Sequence, residues 1–558
     1  MEKKNIAIIV LAVALVASGV GNIILGLPYM QITPPPVNKL VVDTGAGPVT
    51  IDPQDAWDSA SADVLDNVFE CLYTYNLSDP NLPIIPRLAS AMGTWSGDNF
   101  TVPLRQGVTF QDGSAFTSAD VVWSFNRMLK LMSLRKATAA ELYEVFIPSL
   151  NETVNVINKV VANGPYSVTF VLNTTYGPFV PLLCFEGSMI MKAGSEPFGD
   201  NIDLTKGTLM GTGPWIYKSY EAGVQVTFNA YKNYWRGAPH FDQLIFDIIS
   251  ESSSRNIAML SGDTDIFLSP DPSLLSTYNS TPGIDLVHVG PNLATSYLGM
   301  NCKEIPRLVR KAMSYAFDYN YVLKNVLNGF GYRMKSPIPK GIEYWNYSFN
   351  YATFNITTAR KAMIAEYAAN PGIFDNAPPA LGASNATWEA ANCFSFNYTY
   401  NTDNNIRAQL LAVLQNDFAK IGINVIDAGT TWANFVYSLY EIGGFNRQML
   451  QLYWIGWIPD YNDGSDYINP LFTNRSVASN GAQFNNATVQ RWMEQAILTV
   501  NKTERQILYN KIQDSLVSYN YPWVYGFTGD NFDVWKADIH GFPSNSMGKA
   551  YFYPCYRE

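Results

Sequence analysis

Residues Leu452–Leu471 read L-Y-W-I-G-W-I-P-D-Y-N-D-G-S-D-Y-I-N-P-L, and they decide how we interpret the fold. The apolar, aromatic first part is typical of a buried strand, which Gly456 and Pro459 end in a loop rich in Asp and Asn. In α/β proteins ligands are held where strands end, because a rigid sheet positions the polar groups of the loop. We therefore interpret Asp460 as a partner for a cation or for hydrogen-bond donors. The alternative is that the tryptophans are core residues and Asp460 caps a turn.

The composition indicates a folded protein that binds no nucleic acid. The chain has 558 residues, of which 47% are hydrophobic and 15% charged, so it is long enough for several domain-sized units. Aromatic residues make up 14%, and they suit broad ligand surfaces as well as cores. The net charge of −10 disfavours nucleic acid, because phosphate binding needs clustered Lys and Arg.

Several enzyme and metal signatures are missing from the sequence. The 3 histidines lie far apart, which disfavours a histidine metal cluster or a Ser/His/Asp triad. No G-x-S-x-G, P-loop or H-E-x-x-H motif occurs. The 5 cysteines show no C-x-x-C spacing, so at most two disulfides can form, with their connectivity open. The D-Y-N-D-G-S-D run is similar to a calcium loop but lacks the glutamate at its twelfth position.

The N-terminal segment, residues 1–30, predicts a membrane anchor. Ile6–Leu27 contains no charge, and at 1.5 Å per residue it spans roughly 33 Å, enough to cross a bilayer core of about 30 Å. Lys3 and Lys4 place the N-terminus inside and the body outside. The small residues at 17–19 leave a cleaved signal peptide as the alternative. A bacterial lipoprotein anchor is excluded because no cysteine closely follows the run.

Two further features fit an extracellular body. Residues 31–38 include I-T-P-P-P and predict a stiff polyproline stalk. Twelve N-x-S/T sequons follow, about twice the roughly six expected by chance, which favours a glycoprotein. The sequons begin at Asn76, Asn99, Asn151, Asn173, Asn279, Asn346, Asn355, Asn385, Asn397, Asn474, Asn486 and Asn501.

The block L-R-Q-G-V-T-F-Q-D-G-S-A-F-T-S-A-D-V-V-W-S-F-N-R, from Leu104 to Arg127, is the most specific in the chain. It predicts a hairpin that turns at Asp112-Gly113, followed by Thr117 as a helix N-cap with Asp120 three residues on. The predicted core residues of this helix are Val121, Phe125 and Leu129.

Hydrophobic periodicity predicts the remaining elements. Ala62–Tyr73 is helical in period, with Val64, Val68 and Leu72 on one face. In the second half, predicted strands over Phe394–Tyr400, Ile423–Ile426 and Met449–Ile455 alternate with a helix marked by Ile406, Leu410, Val413, Leu414 and Phe418. Strands that alternate with helices predict a largely parallel sheet with helices on its faces.

Beyond the stalk, the chain resembles the family 5 extracellular solute-binding proteins of ABC transporters, the oligopeptide- and dipeptide-binding group. Besides the block above, the shared motifs are, in order, D-P from Asp52, F-E-C-L from Phe69, G-T-G-P-W from Gly211, Y-W-R-G-A-P from Tyr234, S-G-D-T-D-I from Ser261, V-R-K-A-M-S-Y-A-F-D from Val309, I-G-I-N-V from Ile421 and G-W-I-P-D-Y from Gly456. Their common order and spacing carry the resemblance. With the N-terminal segment, the chain looks like a membrane-anchored, archaeal-like member.

This resemblance implies a two-lobed periplasmic-binding-protein-like (Venus flytrap) α/β fold, preceded here by the predicted transmembrane helix. The implied first lobe comprises residues 39–290, with a small subdomain at about 77–164, and residues 527–558 return to it. Residues 291–526 form the implied second lobe. The resemblance implies no catalytic residue, no cofactor and no metal, and it implies ABC permease and ATPase subunits as partners.

Candidate ligand contacts also follow from the resemblance. In peptide-binding relatives an aspartate at the position of Asp460 receives the α-amino group of the ligand. Trp457 and Trp432 match tryptophans that line the cleft, and Trp57 falls where relatives touch the ligand backbone from the first lobe. Where oligopeptide binders can place an arginine, this chain has Trp454, which removes an anion partner and adds a stacking face.

We therefore expect an extracellular receptor, anchored in the cell membrane, that captures peptides for an ABC importer. Aromatic platforms beside carboxylates also suit sugars, so an oligosaccharide of the cellobiose type is the alternative ligand. An extracellular hydrolase is the rival class, with Asp460 and either Asp463 or Asp466 as its acidic pair. A structural surface protein would leave the cleft residues without a function.

Overall fold

The computed structural model describes residues 37–138, 142–147, 150–268, 270–439, 450–474 and 479–558. The predicted membrane anchor and most of the predicted stalk lie outside these ranges, so both stay predictions. Within the described ranges, none of the helices has the length and apolar character that crossing a membrane requires.

The structure contains short strands and amphipathic helices in alternation. The strands are β1 (Lys39–Thr44), β2 (Tyr73–Tyr75), β3 (Ile84–Pro86), β4 (Thr94–Ser96), β5 (Asn99–Pro103), β6 (Glu144–Ile147), β7 (Glu152–Asn155), β8 (Ile157–Ala162), β9 (Ser167–Leu172), β10 (Trp215–Glu221), β11 (Gln225–Ala230), β12 (Gln243–Ile248), β13 (Ile266–Leu268), β14 (Ile284–Pro291), β15 (Thr295–Met300), β16 (Gly331–Arg333), β17 (Phe394–Asn401), β18 (Ile423–Thr430), β19 (Leu452–Trp457), β20 (Trp523–Lys536), β21 (Ile539–His540) and β22 (Tyr556–Arg557). The α-helices of at least five residues are α1 (Ser59–Val68), α2 (Ser118–Ser133), α3 (Ser252–Ser261), α4 (Leu275–Ser280), α5 (Arg307–Ala316), α6 (Ile356–Ala369), α7 (Asn385–Glu389), α8 (Asn405–Ala419), α9 (Trp432–Leu439), α10 (Gly464–Phe472), α11 (Ala487–Leu498) and α12 (Lys502–Asp514).

A 12-stranded sheet forms the frame of the molecule, in the order β10-β11-β12-β1-β13-β20-β15-β19-β17-β18, with β14 and β16 also paired to β20. The long strand β20 joins its two halves. Residues 523–529 pair with β15 and β16, and residues 530–536 pair with β13 and β14. We call the part built on β1 and β10–β14 the first lobe, and the part built on β15–β19 the second lobe.

The predicted largely parallel sheet is right only at the centre of each lobe. Strands β12-β1-β13 are parallel in the first lobe, and β18-β17-β19 are parallel in the second. The neighbours of these strands pair antiparallel, through the hairpins of β10-β11-β12 and through β20. Parallel pairs need a crossover helix, and α8 is the one that connects β17 to β18. The sheet is therefore mixed.

The predicted elements of the second half are found with small shifts. Strands β17 and β18 and helix α8 lie where the periodicity placed them. The strand predicted over Met449–Ile455 is β19, Leu452–Trp457, and Met449 itself lies outside the described residues.

A separate antiparallel sheet, β4-β5-β9-β8, lies beside the main sheet. Its strand β9 follows residue 164, where the predicted small subdomain ends. The Phe125 ring on α2 meets Phe170 of β9 edge to face, with 4.9 Å between centroids. On the other side, Gly177 N donates to Ile497 O over 3.1 Å, so this region also contacts α11 of the second lobe.

The block from Leu104 to Arg127 folds as predicted. Gly113 has a φ of 86°, which a turn at Asp112-Gly113 requires, and Ser114 N donates to Asp112 Oδ1 over 3.0 Å. Thr117 caps α2 and, with Asp120, forms a full capping box. Val121 and Phe125 are buried and Leu129 is partly buried.

The helix predicted over Ala62–Tyr73 is α1, which starts at Ser59 and ends at Val68. Asp58 caps its N-terminus and accepts from Ser61 N over 3.0 Å. At its end, Val68 O accepts from Gly213 N over 2.9 Å, and a side chain at Gly213 would meet Val68 O at 2.6 Å. Leu72 therefore lies beyond the helix. The helix ends at this tertiary contact with Gly213, and the sequence near Val68 contains no signal that predicts the end of the helix.

Candidate ligand-binding site

A cavity of about 150 Å³ lies between the two lobes. Its first-lobe wall is the loop before α1 with the first turns of α1, and its second-lobe wall is the end of β19 and the following loop. A cavity of about 370 Å³ adjoins it and shares Asp63, Arg407 and Trp432. Small-molecule sites commonly measure roughly 300–1,000 Å³, so the two cavities offer room for a small ligand.

Four of the five predicted contact residues meet in the smaller cavity. Its lining includes Trp57 from the first lobe and Trp432, Trp457 and Asp460 from the second. Trp57 Nε1 donates to Asp460 Oδ2 over 3.2 Å, across the gap between the lobes. The Trp57 ring also meets Trp457 edge to face, with 5.7 Å between centroids.

The fifth predicted residue, Trp454, lines neither of these two cavities. Trp454 is fully buried, donates to Ser296 Oγ over 2.7 Å and packs on Phe317 and Phe527. Successive strand residues face opposite sides, so Trp454 and Trp457, three residues apart on β19, point to different faces of the sheet. Only the face that carries Trp457 opens on the cavity.

The strand end and the loop that follows are held firmly. Gly456 is required because a side chain there would meet Thr295 O of β15 at 2.4 Å. After the strand, Asp463 caps α10, so the turn-capping role belongs to Asp463 and not to Asp460. Both carboxylate oxygens of Asp463 accept from Arg505, over 2.8 and 2.9 Å. The loop therefore presents Asp460 on a fixed support.

Asp460 rests on a second carboxyl, Asp466, which is fully buried in α10. Asp460 N donates to Asp466 Oδ2 over 3.1 Å, and Trp457 Nε1 donates to the same oxygen over 3.2 Å. Burial, and then the adjacent Asp460, raise the pKa of Asp466 well above its usual range. Burial, reinforced by Glu186, raises the pKa of Asp460 to about 7. Burial and the proximity of the two carboxyls therefore favour a pair that carries at most one negative charge near neutral pH.

A second contact between the lobes parallels the first. Trp432 Nε1, at the start of α9, donates to Asp58 Oδ1 over 3.2 Å. Asp58 is also the N-cap of α1, and burial raises its pKa. Each lobe therefore offers a carboxylate to an indole N–H of the other.

The loop that carries Trp57 is fixed by a buried ion pair. Asp52 and Arg127 of α2 are both fully buried and make two hydrogen bonds, of 2.5 and 3.1 Å. Ile202 N donates to Asp52 Oδ2 over 3.0 Å, and Arg127 also donates to Gln54 Oε1 over 2.6 Å. The D-P motif at Asp52 thus positions one wall of the site.

Arg407 is a cavity residue that sequence reasoning missed. It lies in the first turn of α8, lines both cavities, and its guanidinium is 5.8 Å from the Trp432 ring centroid. A cation in the first turn of a helix opposes the helix dipole, which disfavours this placement for stability alone. The sequence signal that could have identified Arg407 is its position in the first turn of α8, directly after the parallel strand β17.

The acidic character of the first-lobe wall was also missed. Lys549 lies 3.4 Å from Asp66 and contacts Glu186. Asp63 lines both cavities, and burial, reinforced by Asp66, raises its pKa to about 8. Glu186 and Lys549 are 363 positions apart, so no local pattern could have joined them.

Residues 83–479 match the family described as bacterial extracellular solute-binding proteins, family 5 Middle. The chain belongs to this family. Among relatives, heme-binding protein A of Haemophilus influenzae is 24% identical over 480 residues, covering 82% of this chain and 81% of its own. The glutathione-binding protein GsiB of Pectobacterium atrosepticum is 24% identical over 525 residues, covering 92% and 91%.

Solved structures share the fold of this family 5 protein. The dipeptide-binding protein of Pseudoalteromonas sp. SM9913, solved in complex with Met-Leu, superposes with a TM-score of 0.78 at 20% identity. The superposition covers 93% of this chain and 100% of that one. The family comprises solute-binding proteins with an extracellular body, and this matches a receptor better than an enzyme.

Neither of the two acidic pairs predicted for the rival hydrolase has the geometry that this chemistry needs. Asp463 is committed to Arg505, and Asp460 and Asp466 share a hydrogen bond. Catalytic carboxylates of glycosidases stand roughly 5 to 9.5 Å apart, which is farther than two hydrogen-bonded carboxyls.

No group of three His, Cys, Asp or Glu side chains in the described parts of the chain is arranged to hold a metal ion. All five cysteines are unpaired.

Proposed function

We propose that this family 5 protein captures a short peptide outside the cell and delivers it to an ABC permease driven by ATPase subunits. The predicted segment Ile6–Leu27 would tether it to the membrane. One observation carries the proposal: the Asp460 carboxylate opens on a cavity between the lobes and forms no ion pair with a cation among the described residues, although the nearby Lys549 lowers its pKa. The peptide ammonium would supply that cation, and the charge-assisted bond would be roughly twice as strong as a neutral one.

Binding would stabilise the closed arrangement of the lobes. Trp57 and Asp460 already meet across the gap, as do Trp432 and Asp58. A ligand that contacts both walls adds free energy only to the closed state, so it shifts a hinge equilibrium toward closure. Strand β20, which passes from one half of the sheet to the other, is the continuous connection in this movement.

The carboxylate end of the peptide would bind Arg407. The guanidinium lies on the same cavity as Asp460, and its planar set of donors matches a carboxylate. Asp460 and Arg407 thus provide opposite charges for the two ends of a zwitterion. The indole rings of Trp57, Trp432 and Trp457 would cover the apolar parts.

The names of relatives support a peptide ligand, whereas the tryptophans of the cavity would also suit a sugar. Relatives of this chain are named as binding proteins for a dipeptide, for glutathione or for heme. The three tryptophans of the cavity also keep an oligosaccharide as the second candidate, because sugar faces stack on indoles. On the first-lobe wall, burial raises the pKa of Asp63 to about 8, and Lys549 lies 3.4 Å from Asp66.

The proposal is tested by titrating the purified full-length protein, in detergent, with a panel of dipeptides and cellobiose. We expect saturable binding of the dipeptides and recovery of the intact peptide by mass spectrometry. Cleavage of the peptide would favour the hydrolase. Binding of cellobiose alone would favour the sugar receptor, and no binding at all would return the structural surface protein to consideration.

Dipeptide affinity is expected to fall below about pH 7. The pKa of Asp460 in the empty protein is raised to about 7, so acid fills the site with a proton that the ammonium must displace. The dissociation constant should rise by up to about tenfold for each unit below that pH. Calorimetric titrations between pH 5.5 and 7.5 measure this slope, and it should largely disappear in Asp460→Asn. Equal slopes in both proteins would assign the titration to other carboxyls.

Arg407→Gln is expected to abolish discrimination between a dipeptide and its C-terminal amide. The wild-type protein should prefer the free acid by about 1.5–3 kcal/mol, or roughly 10- to 150-fold, which is typical of a hydrogen bond to a charged group. In the variant both ligands should bind with similar, weak affinity. Arg491→Gln, at an exposed arginine on α11, is the control and should keep the preference. A preference that survives Arg407→Gln contradicts the assignment.

A further inference from the structure

The twelve sequon asparagines are all on the outside of the molecule. Nine are exposed, three are half-buried (Asn76, Asn346 and Asn486), and none lines either of the two cavities between the lobes. The excess of sequons therefore lies where attached sugars would not obstruct a ligand.

Attachment of a sugar makes a specific demand on the side chain. The amide Nδ2 bonds to the anomeric carbon of a sugar carried on a lipid phosphate, the bond from that carbon to the phosphate oxygen breaks, and the lipid phosphate leaves with the electron pair. Nδ2 loses one proton in this exchange. On a folded protein the transferring enzyme must also reach all three residues of the sequon, so exposure of the whole triplet and an uncommitted Nδ2 are both needed.

Three sequons meet both conditions. In the triplets at 151–153, 385–387 and 501–503 every residue is exposed. Asn385 Oδ1 accepts from Arg360 over 2.8 Å, and Asn501 Oδ1 caps α12 by accepting from Thr503 N over 3.0 Å. These bonds use the amide oxygen, which a sugar on Nδ2 leaves in place. Asn151 stands in a turn, with a φ of 54°.

Four other sequons have an amide nitrogen that already donates a hydrogen bond, one of them at Asn474, whose Nδ2 donates to Asn485 Oδ1 over 3.0 Å. The Nδ2 of Asn173 donates to Asn155 O over 2.8 Å, that of Asn346 to Asn510 Oδ1 over 2.9 Å, and that of Asn486 to Asn520 Oδ1 over 3.4 Å. In two more, at Asn99 and Asn397, the middle residue is buried within a strand.

We propose that the protein is N-glycosylated on its folded outer surface, at Asn151, Asn385 and Asn501. The inference rests on the extracellular location in the proposed function, but not on the identity of the solute. Asn151 directly precedes β7, Asn385 is the first residue of α7 and Asn501 caps α12, and none of the three lines the cavity. Glycans there would shield the outer face without impeding closure.

The test is peptide mass spectrometry of the full-length protein purified from its native cells, compared with the same chain made in a host that does not glycosylate. Peptides with Asn151, Asn385 and Asn501 should carry added hexose-type mass in the native sample alone, and those with Asn173, Asn346 and Asn486 should not. Unmodified peptides throughout would overturn the proposal. Equal occupancy in both groups would also overturn it, because attachment would then precede folding.

Thr503→Ala supplies a variant that keeps the fold. Thr503 is exposed, and the substitution removes the sequon while Asn501 continues to cap α12. When it is made in the native cells, the Thr503→Ala variant should lack the glycan at Asn501 and keep those at Asn151 and Asn385. Dipeptide titration of the unglycosylated chain tests the solute proposal separately, so failure of one leaves the other standing.

Discussion

Asp460→Asn is expected to weaken dipeptide binding by about 2–5 kcal/mol, or roughly 30- to 5,000-fold, the usual cost of losing one partner of a desolvated charge pair. The amide keeps the shape and one acceptor for Trp57 Nε1, but it cannot neutralise an ammonium. Asp466 does not replace the charge, because its pKa is raised well above the usual range. The substitution therefore removes the anion that Asp460 presents to the ligand.

Isothermal titration of the wild-type and variant proteins at pH 7.5 measures this loss. Asp285→Asn makes the same chemical change at an exposed position on β14 and should bind like the wild type. N-acetylation of the peptide should weaken binding to the wild type as strongly as the substitution does, and it should have little further effect in Asp460→Asn. Separate, additive losses would show that the ammonium binds elsewhere.

Arg127→Met is expected to lower the free energy of unfolding by about 3–5 kcal/mol, because it leaves the Asp52 carboxylate buried without its partner. Both side chains are fully buried, and the guanidinium also holds Gln54 and the backbone carbonyls of Pro197 and Asp200. Since this network supports the loop that carries Trp57, ligand affinity should fall as well.

Denaturant unfolding followed by tryptophan fluorescence measures the stability change. Lys130→Met is the matched control: it removes one positive charge from an exposed position of the same helix, and its effect should stay within about 0.5 kcal/mol. If both variants unfold at the same denaturant concentration, the ion pair does not stabilise the first lobe.

Turns and helix caps that depend only on neighbouring residues were predicted correctly from the sequence. The capping box at Thr117 and the Asp112-Gly113 turn act over three or four residues, and both are present. The loop that displays Asp460 likewise follows from Pro459, which comes two residues after the apolar strand ends at Trp457. These features depend on neighbours in the chain, so the sequence carries them directly.

Features that depend on distant contacts could not be predicted in the same way. The end of α1 at Val68 is set by Gly213, and the Lys549–Glu186 contact joins the C-terminal segment to the middle of the first lobe. Part of the antiparallel pairing in the sheet depends on β20, a long strand near the end of the chain that joins the two halves of the sheet. Each of these features depends on a contact between residues that are far apart in the sequence, so it can be identified only from the folded structure.

Trp454 and Arg407 are different, because sequence reasoning could have placed both. The alternation of a strand separates Trp454 from Trp457, and the dipole of α8 disfavours Arg407 where it stands. The resemblance to relatives concerns only position 454, where some relatives have an arginine and this chain has Trp454. It gives no indication of Arg407.

The most direct measurement is a side-by-side calorimetric titration of the full-length protein with a free dipeptide, the same dipeptide acetylated at its N-terminus, and cellobiose. If the cavity between the lobes is an ammonium-binding peptide site, the free dipeptide should bind with one equivalent and the other two only weakly. Equal binding of the acetylated peptide, or tighter binding of cellobiose, would contradict it.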